Sequence, residues 1–310
     1  MKGDSVLSKG VVILGHPRSG TTLLRRLLGA HSRLHGMPET HLLGACARFL
    51  DGDETADGLT LSVLTGLHFL GYGDDAVLER LRRFAFSFFE EATDAAKKAR
   101  WVEKTAWDIF NLEGIEKVCG DEVQYIGLVR HPFDVAQSCI QYTDHVGGYI
   151  GAFHDYISRH PQPLIAFAHS WRDTTTTLLE FAERRPEQCA VSRYEDLVSN
   201  TDEMLESILE FLGEEFEPNL AKNGLASTNQ EGLSDYKSFQ NAEVHEKSVN
   251  GRAILRPNQL QLIAPIVNPV LEQCGYDPVD PGEAVTEDEA RHRFETALAF
   301  HAARKETASS

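Results

Sequence analysis

The first clear signal along the chain is a continuous apolar run, Val11-Val12-Ile13-Leu14, that stops at Gly15. A short β-branched run without polar alternation predicts a strand buried on both faces, as in a parallel sheet. Thr21–Ala30 follows, with Leu23, Leu24, Leu27 and Leu28 at helical spacing. The first unit is therefore strand, glycine-bounded loop, helix. Val123–Val129 predicts a second strand, and Pro132 then opens a helix to about Tyr142, because Pro suits the first helical position. Trp101–Lys104 and Ala190–Arg193 predict shorter strands. Val77–Lys98 predicts a helix with Leu78, Leu81, Phe84, Phe88 and Phe89 on one broad stripe. Leu164–Arg184 and Glu203–Leu212 predict two more. Leu260–Cys274 reads as helical and is stopped by Gly275, with Pro265 and Pro269 expected to kink or divide it. Residues 51–75 are rich in Asp and Gly and predict loops with a short helix, and Glu287–Arg304 predicts a last amphipathic helix.

Strands that alternate with helices predict an α/β fold: a mainly parallel central sheet with helices on both faces. The strand–loop–helix opening makes it P-loop-like. The 310 residues are expected to form one domain, with a core of about 9–278 and a helical C-terminal extension and tail over 279–310.

Charge narrows the partners. The formal net charge is −17, from 30 basic against 47 acidic residues. That balance argues against non-specific nucleic-acid binding and against an anionic membrane surface. An anionic ligand would need the few basic side chains to converge locally. Five scattered cysteines without a CxxC pair argue against a zinc or thioredoxin-like site and fit a reduced compartment. No apolar run reaches the ~18 residues of a membrane span, and Val11–Leu14 is too short for a signal-peptide core. A soluble cytoplasmic protein is expected.

The loop Gly15-His16-Pro17-Arg18-Ser19-Gly20-Thr21-Thr22 carries the first chemistry. Between a buried strand and a helix N-terminus, backbone N–H groups and the helix dipole favour an anion. The glycine spacing is that of a Walker A loop, but Thr21-Thr22 stands where a nucleotide triphosphatase has Lys and then Ser or Thr. The cation lies inside the loop instead, as Arg18. The usual grip on a γ-phosphate is missing, while Ser19, Gly20, Thr21 and Thr22 remain for phosphate oxygens. A second strand–turn–helix spans Tyr125–Ser138. Arg130 ends the strand, where open α/β sheets bind ligands, and Ser138 lies in the second helical turn. Together they could hold a second phosphate. Asp134 would repel one and reads as a first-turn helix charge.

Pro17-Arg18-Ser19-Gly20-Thr21-Thr22 resembles the 5′-phosphosulfate loop of sulfotransferases that use 3′-phosphoadenosine 5′-phosphosulfate (PAPS), above all the tyrosylprotein-sulfotransferase-like branch and its bacterial relatives. The resemblance runs from about Val11 to Pro278. It implies that Arg130 and Ser138 hold the ribose 3′-phosphate, and that Tyr194, in Tyr194-Glu195-Asp196-Leu197, lies beside the nucleotide. Glu39, in Met37-Pro38-Glu39-Thr40, aligns without a gap with a family Glu that acts as base. Lys104, in Glu103-Lys104-Thr105-Ala106, would neutralise charge on the sulfonate, as would Arg18. Cytosolic members have Lys-Thr-His there, with His as base; Ala106 removes that candidate. His245–Arg252 resembles a segment near the nucleotide, with Ser248 as a contact to the phosphosulfate and Lys247 or Arg252 near the 3′-phosphate. His41 stands where the tyrosylprotein enzymes have Arg, which counts against peptide tyrosine.

The resemblance thus implies in-line sulfuryl transfer from PAPS, without a metal, to a hydroxyl or amine of a small-molecule, carbohydrate or carrier-linked acceptor. Two readings compete. A small-molecule kinase with a degenerate P-loop would need the missing Lys. A non-catalytic nucleotide-binding protein would bind the same ligand and be indifferent to Glu39 and Lys104.

Overall fold

A computed structural model describes residues 8–226 and 257–280, with single positions at 291, 292, 295, 296 and 298. In chain order the strands are β1 (Gly10–Leu14), β2 (Leu34–Gly36), β3 (Gly52–Glu54), β4 (Thr60–Ser62), β5 (Arg100–Glu103), β6 (Val123–Val129) and β7 (Cys189–Arg193). β3 and β4 pair as a separate antiparallel hairpin. The other five form an all-parallel sheet in the order β2-β5-β1-β6-β7. β1 is central, and both its neighbours come later in the chain. Gly10 is required where β1 meets β5: a Cβ there would lie 2.1 Å from the ring of Trp101, its register partner.

β1 sends Val11 and Ile13 into one hydrophobic cluster and Val12 and Leu14 into the other, the period-two alternation of a strand covered on both sides. On the Val11 face lie α1 (Thr21–Gly29), α9 (Tyr194–Ser199), α10 (Thr201–Leu212) and α11 (Leu220–Ala226). On the Val12 face lie α2 (Leu42–Arg48), α4 (Asp74–Ala95), α5 (Leu112–Cys119), α6 (Pro132–Val146), α7 (Ala152–Arg159), α8 (Pro163–Arg184) and α12 (Pro257–Leu271). α3 (Val63–Phe69) follows the hairpin and buries none of its residues. No described helix is long and apolar enough to cross a membrane.

The expected stripe on α4 is corrected. Val77, Ala85, Phe86, Phe89 and Thr93 are buried, whereas Phe84 and Phe88 are 53% and 54% exposed. The helix carries more aromatic residues than one face can hold, and Trp101 on β5 selects the face. Its ring meets Phe86 and Phe89 with centroids 5.1 and 5.0 Å away. α12 is not divided, because Pro265 and Pro269 lie inside one continuous helix. Each removes a backbone donor, but buried Ile263, Ala264, Val267, Val270 and Leu271 anchor both sides of each ring in the core. Gly275 ends the segment at φ 73°, as its position predicts. β2, α2, α5, α7 and the β3–β4 hairpin had no counterpart in the sequence reading.

Candidate active site

The loop after β1 turns tightly. Arg18 has φ 75° and Gly20 φ 91°, both left-handed. At Gly20 the absence of a side chain is a packing requirement, since a Cβ would sit 2.2 Å from Cδ2 of Tyr194. α1 then starts at Thr21 with no acidic residue in its first turn and no side-chain cap. Its N-terminal amides therefore face the loop without a competing carboxylate. The Ser19 hydroxyl is buried and has no hydrogen-bond partner among the described residues. A buried polar atom left without a partner costs free energy unless a ligand or water meets it.

His16 fixes the loop from behind. It is buried, stacks on Phe153 at 5.6 Å, and its Nε2 lies 2.8 Å from Ser170 Oγ on α8. Its Nδ1 lies 2.7 Å from the Pro17 carbonyl oxygen. Desolvation lowers its pKa to about 4, so the ring is neutral near pH 7 and donates from one nitrogen only. His16 sits inside the motif, and its apolar surroundings come from α7 and α8, far along the chain.

The second strand end lies beside the first. Arg130 Nη1 donates to the Arg18 carbonyl oxygen at 3.2 Å, and Arg18 Nε donates to Ser138 Oγ at 3.2 Å. The Arg130 guanidinium lies 4.4 Å from the centroid of Tyr194, a cation–π contact. Arg18 lies 5.5 Å from the ring of Tyr142. Arg18, Arg130, Ser138 and Tyr194 thus converge on one place. Asp134 is buried in the first turn of α6, as expected of a helix charge. Lys247, Ser248 and Arg252 lie outside the described residues.

On the other side of the loop, Lys104 follows β5 and is 2% exposed. Its ammonium donates to Thr22 Oγ1 at 2.7 Å and to Glu39 Oε1. The Ala106 amide reaches the same Glu39 oxygen at 3.4 Å. Glu39 sits on a stapled segment. Arg25 on α1 donates to the Met37 carbonyl oxygen at 2.6 Å, and Met37 N–H donates to Val102 O at 3.1 Å. Beyond Glu39, Thr40 Oγ1 donates to Glu103 at 2.8 Å, and the His41 amide donates to Thr105 Oγ1 at 3.1 Å. Thr105 Oγ1 donates to the same Glu103 oxygen at 2.8 Å. Glu103 thereby clasps the residue after Glu39 to the residue after Lys104.

Burial raises the pKa of Glu103, partly offset by the Thr105 and Thr40 hydrogen bonds and by Lys104. Asp108 stands well above the ordinary range, first through burial and then through the charges of Glu103 and Glu39. Between the two halves opens a small cleft lined by Arg18, Thr21, Thr22, Lys104, Trp107 and Tyr142. Among the described residues no three His, Cys, Asp or Glu side chains are grouped as a metal ion would require.

Residues 10–218 match the profile described as the Sulfotransferase family. The chain belongs to the sulfotransferase family. Sulfuryl transfer is therefore its reaction class. The nodulation protein NoeE of Sinorhizobium fredii (strain NBRC 101917 / NGR234) is 28% identical over 302 residues, covering 89% of this chain and 70% of that protein. Two solved structures share the fold. The sulfotransferase domain from the curacin biosynthetic pathway superposes with a TM-score of 0.59 at 22% identity, over 88% of this chain and 99% of that one. The sulfotransferase domain from the Synechococcus PCC 7002 olefin synthase gives 0.56 at 23%, over 86% and 94%.

In this sulfotransferase the sequence reading passed over His16, Glu103, Trp107 and Tyr142. Glu103 had a readable signal: it continues the buried run Trp101-Val102, and a carboxylate there must find partners. Trp107 and Tyr142 had none, because their place in the cleft depends on how β5 and α6 meet across the loop.

Proposed function

We propose that this sulfotransferase moves a sulfuryl group from PAPS to a hydroxyl or amine of a small-molecule, carbohydrate or carrier-linked acceptor. The observation that carries the reading is the junction of the two strand ends. Arg18, in the loop after β1, meets Ser138 of α6, and Arg130, after β6, meets the Arg18 carbonyl. Two anion-binding groups so placed suit a nucleotide phosphorylated at both its 3′ and 5′ positions. The orphan Ser19 hydroxyl and the uncapped start of α1 suit the 5′ end, and Arg130 with Ser138 suits the 3′ end. Tyr194 supports Arg130 through its ring.

The donor supplies the sulfuryl group; the chain supplies position, charge and a proton acceptor. An ammonium pairs with an ionised carboxylate, and that is the form of Glu39 able to take the acceptor's proton. Lys104, between Glu39 and Thr22, reaches both the base and the loop, so its charge serves the developing negative charge at the transferred group. Arg18 adds a second cation inside the loop.

Calorimetry with 3′,5′-ADP tests the reading. The expected result is tight binding that Arg130→Ala weakens, together with sulfonated product from PAPS that Glu39→Ala and Lys104→Ala abolish. Binding of ATP with Mg²⁺ and none of 3′,5′-ADP would overturn it in favour of a kinase. Unchanged turnover in Glu39→Ala and Lys104→Ala would remove their assigned roles.

A further inference from the structure

The peptide unit joining Arg130 to His131 is held at both of its polar atoms. Trp171 Nε1 on α8 donates to the Arg130 carbonyl oxygen at 2.9 Å. The His131 N–H, on the same planar unit, donates to Glu195 Oε1 at 3.0 Å. A trans peptide is rigid, so two bonds at opposite edges fix its plane, and with it the direction in which Arg130 leaves the strand. His131 is the residue before α6, with φ −53° and ψ 128°, so its amide has no carbonyl of the helix to bond.

Glu195 is itself held. Tyr276, beyond α12, donates its hydroxyl to Glu195 Oε2 at 2.6 Å. The Tyr276 ring meets His131 edge-on at 5.2 Å and lies under the Arg193 guanidinium at 5.5 Å. Arg193 donates to the Gly275 carbonyl oxygen at 2.8 Å and to both oxygens of Asp196. The segment after α12 is thereby docked on the start of α9, and one carboxylate links it to the turn that bears Arg130.

We infer that Glu195 and Tyr276 are positioning residues for Arg130, so that a tyrosine near the C-terminal end of the fold sets recognition of the 3′-phosphate. Neither side chain is assigned to the ligand; both act through the Arg130–His131 peptide. The inference rests on the proposed nucleotide reading. It makes a selective claim: loosening the peptide weakens the grip on a 3′-phosphate and leaves the 5′ loop after β1 intact.

The test compares 3′,5′-ADP with 5′-AMP by calorimetry on wild-type protein, Tyr276→Phe, Glu195→Ala and Glu195→Gln. Thermal melting of each accompanies it. Tyr276→Phe keeps the ring and removes one hydrogen bond to a charged group. It is expected to reduce the preference for 3′,5′-ADP by about tenfold, with 5′-AMP affinity unchanged. Glu195→Ala is expected to act in the same direction. Glu195→Gln keeps an oxygen for the His131 amide and an amide for Tyr276, and is expected to hold the wild-type preference. A preference unaltered in Tyr276→Phe and Glu195→Ala overturns the inference. So does an equal loss for both nucleotides, which is the mark of a purely structural role. A wild-type protein that binds both nucleotides alike removes the underlying reading, and the inference with it.

Discussion

Lys104 and Glu39 form a buried ion pair in which the ammonium also holds Thr22 of the loop. Their side chains are 2% and 5% exposed, so neither charge is relieved by solvent if the other is removed. Lys104→Met is expected to cost about 3–5 kcal/mol, because it leaves a buried carboxylate without its ammonium. The double variant Lys104→Met with Glu39→Gln is expected to regain most of that stability in urea titrations. It should nevertheless stay inactive, with turnover down at least ~100-fold for loss of the base alone. Recovered turnover in the double variant would separate the pair from the chemistry.

His16 predicts an acid-side loss of stability. Its folded pKa is about 4 against 6.5 for a free imidazole. Between those values the unfolded chain binds a proton that the folded one does not, so stability rises with pH through this window. It is complete above about 6.5 and falls away as pH drops toward 4, by about 3 kcal/mol in all. In His16→Gln the acid limb of a plot of unfolding free energy against pH should flatten between 6.5 and 4. A limb of unchanged slope would assign the loss to other groups.

Asp108 predicts the opposite slope. Its folded pKa lies well above 3.8, so the folded chain keeps a proton that the unfolded one releases, and stability falls as pH rises above 3.8. Asp108→Asn carries no such proton and retains an oxygen for the Gly44 amide. It is expected to melt higher than the parent at pH 7, with the difference closing near pH 4. A variant that melts lower at every pH would show that the carboxyl, not merely its shape, is needed.

Gly20→Ala tests the junction of loop and nucleotide motif. A left-handed alanine costs about 1–2 kcal/mol, and its Cβ would also displace the Tyr194 ring on which Arg130 rests. Affinity for 3′,5′-ADP should fall about tenfold or more, in excess of any change in melting temperature. Intact affinity would mean that Tyr194 gives way without moving Arg130.

The parts legible in the sequence were those encoded locally. β1, its loop and α1 follow from one apolar run, two glycines and a leucine spacing. α6 starts at Pro132 as its sequence predicts. The other contacts depend on distant chain segments. Trp101 decides which side of α4 is buried, Phe153 and Ser170 enclose His16, and Glu103 joins two loops that periodicity treats separately. α2 and α5 were missed because each spans only about two turns, too few for a helical spacing to stand out. Tyr276 gave no signal at all, because its partner Glu195 lies across the sheet edge rather than along the helix.

The sheet itself has a consequence for selectivity. β1 and β6 are hydrogen-bonded neighbours in register from Gly10↔Val123 to Leu14↔Gly127, so the chain reversals that follow them open at the same end of the sheet, on strands about 4.8 Å apart, with β6 running two residues farther before it turns. That interval is set by backbone geometry, which side-chain substitution leaves almost untouched. The scaffold therefore works as a ruler. Variants at Arg18 or Arg130 would alter how firmly a doubly charged ligand is held. On the proposed reading, the alignment of these two strand ends would persist through divergence at every other position of the cleft.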